Sequence, residues 1–215
     1  MRDPFREGLA AGWKHIDASQ LAVDLPIEAD VVIIGSGAGG GVTAEILAAN
    51  GLKVVIVEEG PLRTSSDFKM REAEAYPDLY QESAARKTAD KAINILQGRC
   101  VGGSTTVNWT SSFRTPPRTL QWWQSAWGLK RLGVDAMAPW FAAMEQRLHV
   151  GLWPIPPNEN NAALARGAAQ LGIPVAVIPR NVKMCWNLGY CGMGCPTNAK
   201  QSMLLTTLPA APTNG

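Results

Sequence analysis

The pattern of apolar and polar positions changes character at Ala29. Before it, residues 1–28 are polar with scattered apolar side chains and read as a partly helical lead-in ending near Pro26. Val31-Val32-Ile33-Ile34 is then an unbroken apolar run, as expected of a strand buried on both faces. A glycine cluster follows. After it, Val42, Ala44, Leu47 and Ala48 fall on one helical face, small enough to lie close on a sheet. Asn50-Gly51 is a helix stop, and Val54-Val55-Ile56-Val57 is a second buried-strand run ending in Glu58-Glu59-Gly60-Pro61. Together these make one βαβ unit of about 30 residues.

Further along, the periodicity is weaker. Residues 62–92 are polar and charged, with a helix predicted around 81–91 and a strand at 93–96. Residues 134–149 predict an amphipathic helix with Met137, Trp140, Phe141, Met144 and Leu148 on its apolar side. A short helix is expected at 162–171 and a strand at 175–178. From Leu208 onward no periodicity remains, and the segment reads as a loose end. Trp122, Trp123 and Trp127 are spaced for one helical patch, with packing in a core or cap as the expected role. The pattern is that of an α/β protein: a Rossmann-like βαβ unit, then the beginning of an α+β region. The expected division is a lead-in over 1–28, a nucleotide-binding part over 29–133 and a further region over 134–215.

Composition adds exclusions. The chain of 215 residues is 46% hydrophobic and 18% charged, with a formal net charge of +2. Its Lys and Arg residues are scattered rather than striped, which argues against nucleic acid as a partner. The N-terminus lacks the apolar core of a signal peptide, and the apolar runs are far short of a membrane span. A cytoplasmic location is expected, with membrane association peripheral at most. Structural disulfides are not expected among the four cysteines, Cys100, Cys185, Cys191 and Cys195. His15 and His149 are the two histidines; one lies in the polar lead-in and the other at a helix end, so both read as surface residues rather than catalytic bases.

The chemistry is concentrated in glycine. In Gly35-Ser36-Gly37-Ala38-Gly39-Gly40, Gly35 permits the turn out of the strand, Gly37 admits a pyrophosphate to the backbone and Gly40 allows close helix–strand packing. The helix that opens at Ala38 offers free N–H groups and a positive dipole end to an anion. Glu58 closes the second strand, where a carboxylate can accept from ribose hydroxyls; Glu59 is its rival. A lone G-x-G-x-x-G says little, but here it follows a strand, opens a helix and meets an acid where one is needed. These features fit FAD and NAD equally. A second glycine-rich stretch, Gly98-Arg99-Cys100-Val101-Gly102-Gly103-Ser104-Thr105-Thr106-Val107-Asn108-Trp109, again offers N–H groups and a hydroxyl near an anion.

The pair of segments, ADVVIIGSGAGGGVTAEILAANGLKVVIVEEGP and GRCVGGSTTVNW, resembles the glucose–methanol–choline (GMC) oxidoreductase family. The resemblance runs from about residue 29 to about 205 and includes residues 136–150 and the stretch CGMGCPTNAKQS at 191–202, which is similar to branches handling sugars, sterols or long-chain alcohols. It implies FAD rather than NAD, with Arg99, Gly102, Gly103, Ser104 and Asn108 along the cofactor. It implies that residues from 134 begin a substrate region, and that the reaction is hydride transfer from an alcohol carbon to flavin. Some members tether the flavin through a histidine just before the asparagine; Val107 stands there, which implies noncovalent FAD. The resemblance does not identify the electron acceptor. Members are far longer and carry their catalytic pair near the C-terminus, so the expectation is a truncated member, inactive alone; a non-catalytic nucleotide- or cluster-binding module is the alternative.

Cys185, Cys191 and Cys195 form C-x5-C-x3-C. Three thiolates at short spacing could ligate an iron–sulfur cluster, and the spacing resembles that of bacterial family members carrying one. Zinc is disfavoured, since a structural site needs four ligands and no histidine is near. Free thiols packing as small hydrophobes are the other reading, and the two stay open at this point.

Overall fold

In the computed structural model, which describes residues 3–211, the lead-in holds one helix, α1 (Pro4–Ala10). Asp3 caps it by accepting from the Arg6 N–H at 3.1 Å, and Pro4 takes a position where no N–H is needed. Arg6 then fixes the helix to a distant loop: Nη2 lies 2.8 Å from the Asp67 carboxylate and Nε donates to the Thr64 hydroxyl at 2.6 Å.

The βαβ unit forms where the apolar runs predict it. Strand β1 (Val31–Ile34), helix α2 (Ala38–Ala49) and strand β2 (Val54–Val57) follow in order. The strands pair in parallel, with Val31 opposite Val54 and Ile34 opposite Val57. One expectation is corrected: the strands are not buried on both faces. The sheet has two strands, and Val32, Ile34 and Val57 on its outer side are exposed. The small face of α2 has two neighbours rather than one. Gly40 lies against β1, while a Cβ on Gly41 would fall 2.7 Å from the Thr207 hydroxyl and 3.1 Å from Met203. Thr207 begins a short helix, α8 (Thr207–Ala210). Leu208 is buried, so this part of the expected loose end is packed structure; residues 212–215 lie outside the described residues.

Helix α3 (Glu72–Leu79) replaces the helix expected at 81–91. Glu82, Ser83 and Ala84 have positive φ, which no helix tolerates in sequence. Residues 86–95 fold back instead, with Lys87 bridging Asn94 in antiparallel fashion and the Ile95 N–H donating to the Arg86 carbonyl at 2.8 Å. Thr88 and Asp90 hold the turn: the Asp90 carboxylate accepts from the Ala92 N–H and the Thr88 hydroxyl from the Ile93 N–H. Such side chains offer the backbone a local alternative to helix. The strand expected at 93–96 is one arm of this turn, paired only through isolated bridges.

Two units divide the contacts. One comprises the chain up to Trp109 together with the chain from Lys183; the other is Thr110–Val182. The core of the first gathers Phe68, Ala75, Leu79, Tyr80, Cys100, Val107, Met193 and Leu204. It includes the end of the second glycine stretch, where helix α4 (Ser104–Val107) forms. The second unit holds helices α5 (Pro117–Trp127) and α6 (Val134–Arg147), strand β3 (Val150–Leu152), helix α7 (Glu159–Gln170) and strand β4 (Pro179–Asn181). Gly128, with φ of 66°, closes α5 in the left-handed conformation usual after a helix. Strands β3 and β4 pair antiparallel, so the strand expected at 175–178 lies a few residues downstream. Of the tryptophans on α5, Trp122 and Trp127 meet edge to face at 6.1 Å yet remain exposed, which corrects the expected core packing. No helix among the described residues is long and apolar enough to cross a membrane.

Candidate cofactor-binding site

The first glycine cluster turns the chain from β1 into α2. Gly35 has φ of +91°, and its N–H extends the ladder to the Val57 carbonyl at 2.7 Å. No side chain caps α2 at Gly37, and Ala38 and Gly39 lie exposed in its first turn. A Cβ on Gly39 would meet only open space, whereas one on Gly40 would collide with the Gly35 carbonyl oxygen. This helix end therefore presents backbone N–H groups outward, the arrangement that holds a diphosphate.

Ser36 does something the motif does not announce. It is 1% exposed, and both its N–H and its hydroxyl donate to one oxygen of Glu58, at 2.9 and 2.6 Å. The other Glu58 oxygen accepts from the Gly60 N–H at 2.9 Å. A carboxylate has about four acceptor positions, so three protein donors orient it and leave capacity for a further hydroxyl. Glu59 is engaged elsewhere: it pairs with Arg99 at 3.3 Å and accepts from the Gln81 amide.

The second glycine stretch interlocks with the first, backbone against backbone. The Gly102 N–H donates to the Ser36 hydroxyl at 2.9 Å. A Cβ on Gly103 would fall 2.9 Å from the Gly37 Cα, and Gly103 has φ of +55°, so glycine is required there on both counts. Gly60 packs on the Arg99 backbone, and Gly98 on that of Gly103 and Ser104. The Ser104 hydroxyl accepts from the Gly98 N–H at 3.0 Å. The expected site residues thus separate. Ser36 and Gly102 build the interlock from inside, Gly40 packs the helix on Gly35 and Ile33, and Ala38, Ser104 and Asn108 lie on the exposed side. Arg99 is half exposed with its guanidinium turned to Glu59. The cradle suits a dinucleotide: open backbone at a helix N-terminus, an oriented carboxylate at the end of β2, and two glycine stretches joined through the buried Ser36 hydroxyl.

Sequence reasoning missed the residue that braces this cradle. Lys200 is 2% exposed, and its ammonium donates to the carbonyls of Thr106, Asn108 and Cys191 at 2.8, 2.7 and 2.6 Å. Tyr80 makes a parallel connection, its hydroxyl 2.6 Å from the Gly192 carbonyl and 3.3 Å from that of Val107. Burial pushes the Tyr80 hydroxyl up to about 12. Nothing in the one-dimensional pattern distinguishes Lys200 from a surface lysine.

The three clustered cysteines are not brought together as ligands. Among the described residues no three His, Cys, Asp or Glu side chains form a group that could hold a metal ion, so the iron–sulfur reading gains no support here. Two of the sulfurs have local partners. The Cys185 sulfur accepts from the Asn187 N–H at 3.4 Å, and the Cys195 sulfur meets the Thr197 hydroxyl at 3.4 Å. Cys195 feels opposing influences: burial raises its pKa, but bonds from Thr197, Lys200 and Ala199 outweigh this and leave it lowered. Cys100 packs in the core as expected, and burial pushes its thiol up to about 12.

With this geometry in hand, comparison with known proteins is direct. A family model described as GMC oxidoreductase matches residues 76–215. The chain belongs to the GMC oxidoreductase family. A model described as FAD binding domain matches residues 30–70, so the βαβ unit is FAD-binding sequence of a GMC oxidoreductase. A long-chain-alcohol oxidase of Arabidopsis thaliana is 34% identical over 184 residues, covering 86% of this chain and 25% of that protein. An uncharacterized GMC-type oxidoreductase of Mycobacterium tuberculosis is 36% identical over 196 residues, covering 89% of this chain and 31% of the relative. Another from Sinorhizobium fredii is 32% identical over 193 residues, covering 89% of this chain and 38% of the relative. The chain therefore spans between a quarter and two fifths of the length of these GMC relatives.

Proposed function

We propose that this chain forms the cofactor grip of an FAD-dependent enzyme that oxidises a CH–OH group by hydride transfer to flavin. The observation that carries the reading is the interlock of Gly37 with Gly103, which unites two glycine stretches into one cradle. The first-turn N–H groups of α2 hold the diphosphate, Glu58 accepts from the adenosine ribose, and Ser104 and Asn108 lie along the flavin side. When bound, the flavin supplies the hydride acceptor. Val107, buried and without a nucleophile, supports FAD held without a covalent bond. The substrate class is an alcohol. The name of the Arabidopsis relative, a long-chain-alcohol oxidase, favours a long-chain alcohol over a sugar or a sterol.

Titration of the purified chain with FAD, followed by flavin fluorescence and absorption, tests the grip. Saturable binding with shifted flavin bands is expected, and acid precipitation should release the colour into the supernatant. A folded chain that takes up no FAD would end the proposal, and a yellow pellet would end its noncovalent part. With FAD bound, a long-chain primary alcohol, a sugar and a sterol are added in turn; the one that perturbs flavin fluorescence identifies the substrate class, and a response to sugar alone would reject the long-chain reading.

A further inference from the structure

We propose that Lys200 is the positioning residue that couples the segment bearing Ser104 and Asn108 to the 191–194 loop, so that FAD binding depends on its ammonium. This rests on the FAD reading above and adds a residue that the cradle itself does not contain.

Three backbone carbonyls are the starting point. Helix α4 has four residues, too few to satisfy its own C-terminal carbonyls. The Thr106 and Asn108 carbonyls and that of Cys191 all turn toward one buried point. Three carbonyl oxygens there repel one another and, without donors, would each carry a desolvation cost. An ammonium has three N–H donors and no acceptor, and a cation is favoured at a helix C-terminus. Lys200 answers all three carbonyls, which accounts for a lysine that is almost fully buried. The coupling is reinforced nearby. Tyr80 joins Val107 to Gly192, the Met203 N–H donates to the Thr105 hydroxyl at 3.0 Å, and a Cβ on Gly192 would lie 3.2 Å from the Trp109 ring. These further connections are neutral. Lys200 is the charged centre of the group, and it holds the carbonyls on either side of Val107.

The test compares Lys200→Met and Lys200→Arg with the native chain by FAD titration, thermal melting and segment-resolved amide hydrogen exchange. Lys200→Met should weaken FAD binding at least about tenfold and speed exchange in 102–109 and 191–194 while leaving β1, α2 and β2 protected. Lys200→Arg, which keeps the charge but offers a larger, planar set of donors, should recover part of the affinity. Native affinity in a folded Lys200→Met chain overturns the proposal, as does a Lys200→Arg chain no better than Lys200→Met. If Lys200→Met does not fold, the native chain still decides: FAD must protect 191–194 together with 102–109, and protection confined to 102–109 overturns the coupling. A native chain that binds no FAD instead defeats the functional reading on which this one stands.

Discussion

The two units are held together by different means. In the first, backbones touch: Gly37 on Gly103, Gly60 on Arg99, Gly98 on Ser104, above a cluster of eight buried residues. In the second, Leu120 is the buried large apolar side chain. Polar and cation–ring contacts join the rest, such as the exposed Arg114–Glu145 pair at 2.6 Å and the half-buried Arg180 guanidinium 4.3 Å over the Trp153 ring. Exposed ion pairs contribute little. Backbone held against backbone leaves little room for a side chain to adjust, the rigidity that precise positioning of a ligand needs. The looser unit, with exposed Trp122, Trp127 and Trp140, has no comparable constraint.

The most severe way to break that contrast is Gly103→Val. It adds a clash with Gly37 to a strained φ, and a loss of about 3 kcal/mol or more is expected, with FAD binding abolished; chemical denaturation and FAD titration measure both. A chain that tolerates valine there would mean the interlock is slack. Next, Leu79→Ala and Leu120→Ala test whether the units lose stability separately. Each should cost about 2–5 kcal/mol, with faster amide exchange confined to its own unit. Exchange rising in both units after either change would erase the distinction.

What the sequence made legible follows from range. The βαβ unit was readable because its determinants are local: apolar runs, an Asn-Gly stop and glycines at fixed offsets. The second glycine stretch was readable as an anion-facing turn, its tie to FAD came only through likeness to a family, and its contact with the first was not written in either segment. Lys200, Tyr80 and Thr207 were missed because their partners lie far away in sequence, and a buried lysine has the same one-letter signature as a solvated one. The helix expected at 81–91 failed for the opposite reason. Thr88 and Asp90 capture nearby N–H groups, a local competition that periodicity does not register.

The smallest effect sharpens the contrast within the first unit, between its core and its 191–202 stretch. At neutral pH iodoacetamide should label Cys195, whose thiol is lowered, before Cys100, whose thiol burial raises to about 12. Because the folded Cys100 value lies above the ordinary 9.0, its contribution to stability is complete below pH 9 and is lost as pH rises from there toward 12. Cys100→Ala should therefore lessen the alkaline fall in melting temperature; mass spectrometry of labelled peptides and melts across pH read the two effects.

The packing of Gly41 on Thr207 sets a schedule for synthesis. The strand–helix–strand unit is synthesised before its partners: the small face of α2 has no cover until the chain has grown past Leu208, and the Thr106 carbonyl has no ammonium until Lys200 is made. Contacts of such separation close slowly. The nascent cradle therefore waits, with its glycines in place and its bracing still untranslated, until nearly the whole described chain exists.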